Sequence, residues 1–120
     1  MNAATELAAA YIEAWNETDA AQRRPLIEKA FTRDVSYVDP IMKGDGHDGV
    51  DALIAGVHQR FPGFRFTLMD GVDGHADYLR FSWELGPEGT EAPIQGTDFA
   101  VVEDGRLARI TGFLDRVPAE

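Results

Sequence analysis

The chain contains no cysteine, which excludes disulfide bonds, thiolate catalysis and thiolate metal sites. Basic residues are also few, since 11 lysines and arginines stand against 21 acidic residues and give a formal net charge of −10. That charge repels phosphate backbones and anionic lipids, so we expect no nucleic acid and no membrane as partner. No apolar run approaches the roughly 20 residues of a membrane span, and the N-terminus lacks the basic start of a signal peptide. The sequence therefore predicts a soluble, cytoplasmic protein.

Signals for metal and nucleotide chemistry are absent or unconvincing. The three histidines are His47, His58 and His75, and their spacing does not match that of metal ligands. We therefore expect no metal and no cofactor. Residues 44–49 match the glycine pattern of dinucleotide sites. However, Asp45 and Asp48 would place negative charge where a pyrophosphate must lie. We therefore interpret this segment as a plain loop.

Three helices are predicted in the first half of the chain. Apolar residues at every fourth position predict the first over residues 3–17. Asp19 opens a capping box for the second, and Pro25 means that this helix either starts late or is kinked there. A third apolar stripe is capped by Asp48 and ends at Pro62.

Strands dominate the rest of the chain. Residues 34–39 predict a strand that is stopped by Pro40. After residue 63 the apolar period changes to two, which predicts four further strands, and Asp104-Gly105 is typical of a type I′ hairpin turn. Helices followed by an antiparallel meander indicate one α+β domain over residues 1–120.

Three polar side chains stand where apolar ones are expected. Tyr11 lies in the middle of the first helix's apolar stripe, so its hydroxyl needs a partner inside the protein. Asp98 is in mid-strand among apolar residues, and Asp39 ends a strand. Each also has a structural interpretation, in which Tyr11 reaches the rim, Asp39 only terminates its strand and Asp98 faces water. Their functional interpretation requires all three to meet.

At these residues the chain resembles the nuclear transport factor 2-like superfamily, which includes ketosteroid isomerases, SnoaL-like polyketide cyclases and scytalone dehydratase. The matching segments are 10–13, 38–40 and 96–98, and the segments 104–107 and 112–115 are most similar to the SnoaL-like branch. The resemblance implies a cone-shaped, cystatin-like roll in which a curved antiparallel sheet wraps around three helices. It also implies a small, mostly apolar ligand in the open end of the cone and a homodimer through the outer sheet face.

The resemblance further implies roles for individual residues. Asp39 matches the general base of the isomerases, Tyr11 their phenolic oxyanion donor and Asp98 their protonated carboxylic donor. Val57 stands where the isomerases have a supporting tyrosine. The residues expected to line the ligand cavity are mostly aromatic or aliphatic: Trp15, Met42, Val57, Phe61, Phe81 and Trp83.

The leading hypothesis is a cofactor-independent acid/base enzyme of isomerase or cyclase type that acts next to a carbonyl group. Two alternatives without catalysis stay open. In one, Tyr11 and Asp98 bond each other and only shape a binding pocket. In the other, the chain is a dimerisation module held by Phe99, Val101 and Phe113 on the outer sheet face.

Overall fold

Helices and a single sheet make up the computed structural model, which describes residues 3–118. The helices are α1 (Ala3–Asn16), α2 (Ala20–Ala30) and α3 (Gly46–Arg60). The strands are β1 (Phe31–Val38), β2 (Lys43–Asp45), β3 (Phe64–Leu68), β4 (Asp73–His75), β5 (Tyr78–Pro87), β6 (Ile94–Glu103) and β7 (Arg106–Arg116). The predicted α+β class is confirmed. Within residues 3–118, no helix is both long and apolar enough to cross a membrane.

The sheet is curved and mixed. Its strand order is β2-β1-β7-β6-β5-β3, and β4 adds to β5. Strands β3, β5, β6 and β7 pair antiparallel as predicted, whereas β1 and β7 run parallel, so the expectation of a wholly antiparallel sheet is corrected. The parallel pair arises because the long segment from β2 to β6 separates the two strands and returns the chain in the same direction. Asp104 and Gly105 both have positive φ, 51° and 77°, as the predicted I′ turn requires.

Polar side chains mark the end of α1 and the start of α2. Asn16 ends α1 and exchanges two hydrogen bonds with the backbone of Phe66, of 2.7 and 2.9 Å, which fastens the helix end to β3. Asp19 caps α2 by accepting from the backbone of the first turn, as predicted. Because that cap sets the helix start, Pro25 lies in the interior of α2, and the alternative of a late start is wrong.

The segment before α3 differs from its prediction. The helix begins at Gly46, and Asp48 lies in its first turn, where it pairs with Arg24 instead of acting as the cap. Part of the predicted loop forms β2 and pairs with β1. A Cβ on Gly44 would lie 3.0 Å from the carbonyl oxygen of Gly49, so these glycines allow two backbone segments to touch.

The core lies between the helices and the concave face of the sheet. Along β5 every second residue is buried against the helices: Leu79, Phe81, Trp83 and Leu85. The neighbouring strand β6 buries Ile94, Gly96, Asp98 and Ala100 on the same face. The inward row of β6 therefore carries one acidic side chain into an otherwise apolar core.

Candidate active site

Tyr11 and Asp98 meet inside the core although they are 87 positions apart in the sequence. The Tyr11 ring packs edge-on against Phe31 and Phe81, with centroids 5.7 and 4.9 Å away. Its hydroxyl donates to Asp98 Oδ2 over 2.6 Å. The position of Tyr11 within the α1 stripe thus directs its phenol at the single acid of the inward β6 row.

Asp98 is wholly buried and keeps one oxygen free. It is opposite Phe81 on β5 and Gly112 on β7, and its exposed fraction is 0%. Among residues 3–118, Oδ1 has no partner that meets hydrogen-bond geometry. Burial raises the pKa of Asp98 to about 6, against the opposing effects of the hydrogen bond from Tyr11 and of the Trp83 indole, which approaches the carboxyl group without meeting that geometry. The free oxygen can therefore switch between accepting and donating near physiological pH.

Tyr37 is a member of the site that the sequence analysis missed. It faces inward from β1, is 5% exposed, and its ring lies 5.6 Å from that of Trp15. Its hydroxyl donates to Asp39 Oδ2 over 2.7 Å. Burial, followed by the charge of Asp98, raises the pKa of Tyr37 well above its usual value, so the phenol stays neutral and donates. Strand alternation already places residues 37 and 39 on one face, and that signal could have identified Tyr37.

Asp39 is half-buried at the end of β1, and each of its carboxyl oxygens is engaged. Oδ2 accepts from Tyr37, and Oδ1 accepts the backbone N–H groups of Ile41 and Met42 over 2.8 and 2.9 Å. This is an Asx-turn, which fixes the loop and the orientation of the carboxylate together. The two oxygens of Asp39 thus accept three hydrogen bonds, which hold the carboxyl group in one orientation.

Gly112 is the point where the two aspartates approach each other. A Cβ on this residue would lie 2.8 Å from Asp98 Oδ1, 3.2 Å from Asp39 Cβ and 3.4 Å from the Tyr37 hydroxyl. Any side chain here would collide with the free carboxyl oxygen. Because Gly112 has no side chain, Asp98, Asp39 and Tyr37 can all approach this position of β7.

The six residues predicted to line a cavity belong to the hydrophobic core or pack against it. Three of them are buried: Trp15, Phe81 and Trp83. The other three are half-buried against the core: Met42, Val57 and Phe61. Two depressions open elsewhere on the surface, of about 710 Å³ beside the start of α1 and about 370 Å³ beside His58. None of the six residues, and neither aspartate, lines either depression. Neither depression therefore opens onto the polar cluster, in which Asp98, Tyr11 and Tyr37 are buried and Asp39 is half-buried.

The histidines lie outside the cluster. His58 Nε2 is 2.7 Å from the Trp15 carbonyl oxygen, which joins α3 to α1, and His47 Nε2 is 3.1 Å from that of Phe31. Residues 3–118 contain no group of three metal-ligating side chains. The chemistry of the cluster is therefore that of two carboxyl groups and two phenols.

The comparison with known families fits this architecture. Residues 8–110 match the SnoaL-like domain family. The chain belongs to this family. A candidate isomerase of the SnoaL-like family from Agrobacterium tumefaciens strain C58 is 40% identical to it. Its TM-score is 0.90, and the match covers 96% of this chain and 99% of that one.

More distant SnoaL-like and related structures share the fold. A candidate ketosteroid isomerase from Kribbella flavida has a TM-score of 0.71 at 19% identity, with 98% of this chain and 82% of that chain covered. A candidate SnoaL-like polyketide cyclase from Jannaschia sp. CCS1 has a TM-score of 0.68 at 14% identity, with 92% and 86% covered. No curated protein matches the chain. The predicted SnoaL-like branch is confirmed by the family match, and these two likenesses concern the fold alone.

Proposed function

We propose that this SnoaL-like protein catalyses a cofactor-independent acid/base reaction next to the carbonyl group of a small, mostly apolar molecule, by isomerisation or cyclisation. The observation that carries the proposal is the state of Asp98. Its carboxyl group is fully buried, bonded to Tyr11 through one oxygen, and unpartnered at the other oxygen. A buried polar atom without a partner needs an explanation, and a ligand oxygen supplies one.

The two aspartates would perform opposite tasks. Asp39 is ionised and takes a proton from the carbon beside the carbonyl, which leaves an enolate. Asp98 in its protonated form, together with Tyr11, donates hydrogen bonds to the enolate oxygen, and the raised pKa of Asp98 makes that form more populated than in an exposed aspartate. Asp39 then returns the proton to a different carbon for isomerisation. In cyclisation the enolate carbon attacks a second carbonyl carbon of the same molecule, the C=O π bond opens to an alkoxide, and the proton held by Asp39 passes to that oxygen.

Wall residues would hold the apolar part of the substrate. The proposed lining is Trp15, Met42, Val57, Phe61, Phe81 and Trp83, a set with few polar atoms. Because Asp98 is wholly buried, a ligand can reach its carboxyl group only if side chains move. The loop that follows Asp39 borders the site and leaves Ile41 64% exposed, which makes this loop the proposed place of entry.

Hydrogen exchange at an activated carbon tests the proposal. In D₂O the protein should accelerate deuterium uptake next to the carbonyl of 2-tetralone, a small apolar ketone, as followed by proton NMR. Asp39→Asn should abolish the acceleration, because an amide cannot remove the proton, and should leave binding of the ketone intact. Asp70→Asn, which changes an exposed loop acid, is the matched control and should exchange as fast as wild type. Equal rates for Asp39→Asn and wild type would refute the base assignment.

A non-catalytic binding module is the second candidate, and one contact favours it. Tyr11 donates its only hydroxyl proton to Asp98. In this arrangement the two groups therefore bond each other instead of both facing a ligand. Under this alternative the protein would bind 2-tetralone, and the wild type and Asp39→Asn would leave its exchange at the uncatalysed rate.

We also propose a homodimer through the outer sheet face. Phe99 on β6 and Phe113 on β7 project from the convex face and are 41% and 56% exposed, which is costly in a monomer. Sedimentation equilibrium should give twice the chain mass for wild type and the monomer mass for Phe113→Asp. A wild-type monomer at micromolar concentration would rule the dimer out.

A further inference from the structure

In the part of the chain that the structure describes, two buried polar atoms of the core have no hydrogen-bond partner: Trp15 Nε1 and Asp98 Oδ1. The Trp15 side chain is almost fully enclosed, with 3% of its surface exposed, and Asp98 has none exposed. Leaving such a group unpaired costs about 1–3 kcal/mol. Two unpaired groups in the same small core therefore indicate more than one missing partner.

Both groups adjoin the same pair of tyrosines. Trp15 packs against the rings of Tyr11 and Tyr37, at 6.0 and 5.6 Å between centroids. Asp98 instead bonds the Tyr11 hydroxyl, and its Oδ1 and the Tyr37 hydroxyl both lie near Gly112, at 2.8 and 3.4 Å from the position of a Cβ on that residue. The two unpaired atoms thus belong to one region of the core but adjoin different ends of the tyrosine side chains.

The chemistry of the two atoms restricts the ligand. An indole N–H only donates, so its partner must be an acceptor such as a carbonyl or hydroxyl oxygen. A carboxyl oxygen accepts from a hydroxyl when ionised and, when it carries the proton, donates to a carbonyl. We infer that the ligand carries two oxygen functions on an apolar frame, one bonded to Trp15 Nε1 and the other to Asp98 Oδ1.

This inference relies on the proposed function for the location of the ligand and adds its chemical class. A hydroxy-ketone or a diketone meets both requirements, whereas a molecule with a single carbonyl leaves Trp15 unpaired. Trp15 is then a binding residue that selects the substrate by hydrogen bonding. Its role goes beyond that of an aromatic wall.

A pair of ketones that differ by one oxygen tests the inference. Isothermal titration should show 6-hydroxy-2-tetralone binding to wild type roughly tenfold more tightly than 2-tetralone, the effect of one added hydrogen bond. Trp15→Phe keeps an aromatic ring and removes the N–H, so the two ketones should bind it equally. Tyr78→Phe, which removes a hydroxyl from an exposed aromatic side chain on β5, is the matched control and should keep the preference.

A second readout uses the wild-type protein, so it does not depend on whether Trp15→Phe folds. The Trp15 indole proton should shift downfield in ¹⁵N-correlated NMR spectra on saturation with 6-hydroxy-2-tetralone and move much less with 2-tetralone. Equal affinities in wild type, a preference kept by Trp15→Phe, an unmoved indole proton, or failure of both ketones to bind would each overturn the inference. Failure of the proposed catalysis is distinguishable, because it would abolish deuterium exchange and leave the binding preference in place.

Discussion

Replacing the buried acid, Asp98→Asn, should change how the stability of the protein depends on pH. Burial raises the pKa of Asp98 to about 6, compared with about 3.9 for an aspartate in an unfolded chain. The folded state therefore binds the proton more tightly than the unfolded state. Stability from this group is fully present below pH 4 and is lost as the pH rises through 6.

The size of the effect follows from the shift. The pKa of Asp98 differs by about two units between the folded and unfolded states, and each unit corresponds to roughly 1.4 kcal/mol. The free energy of unfolding of wild type should therefore fall by about 3 kcal/mol between pH 4 and pH 7.5. The asparagine amide has the same shape and does not titrate, so Asp98→Asn should lose no stability through this position over the same range. The free energy of unfolding of Asp98→Asn minus that of wild type should therefore increase by about 3 kcal/mol over this range.

Urea unfolding at a series of pH values, followed by tryptophan fluorescence, measures this difference. Other titrating groups are common to both proteins and cancel to first order. Gln95→Asn changes a neighbouring position of β6 without altering a titratable group, so its difference from wild type should be constant with pH. If the Asp98→Asn difference is equally constant from pH 4 to pH 7.5, the description of Asp98 as a buried acid with a raised pKa is refuted.

Two further substitutions test the surroundings of the two aspartates, and a third tests an ion pair between α2 and α3. Gly112→Ala should destabilise the fold by about 1–3 kcal/mol in urea, because its methyl group would collide with the carboxyl oxygen that faces it; unchanged stability would contradict the close approach. Tyr37→Phe should lower stability by about 1 kcal/mol and slow tetralone exchange without weakening tetralone binding, since Asp39 loses the donor that orients it; an unchanged exchange rate would exclude a positioning role. Arg23→Met should cost up to about 3 kcal/mol in thermal or urea unfolding, because Arg23 is 3% exposed and its partner Asp51 is left without the 2.7 Å ion pair. A loss below 0.5 kcal/mol, on the order of that of a surface substitution, would contradict this.

Local patterns predicted most of the fold. The four-residue period of α1, the Asp19 cap and the Asp104-Gly105 turn each depend on neighbouring residues and were confirmed. The parallel β1 and β7 pair was not predicted, because it joins segments about 70 positions apart and no local pattern records that contact. The start of α3 was also missed, since Asp48 has the chemistry of a cap but pairs with Arg24.

The candidate site was predictable in part for the same reason. Periodicity placed Tyr11 inside, and apolar neighbours marked Asp98 as an exception within its strand. The pairing of their side chains depends on the packing of α1 over β6, which the sequence does not state. Tyr37 was overlooked because an aromatic residue in a strand is ordinary. Its importance comes from the hydroxyl contact with Asp39.

A direct titration of the Asp98 carboxyl group tests the central claim, that a buried acid with one free oxygen lies at the centre of the site. Carbonyl ¹³C NMR of protein labelled at aspartate, with Asp98→Asn to identify the signal, gives its titration midpoint. We expect a midpoint of about 6 that moves on addition of 6-hydroxy-2-tetralone. A midpoint at or below 4 that the ketone leaves in place would contradict the account.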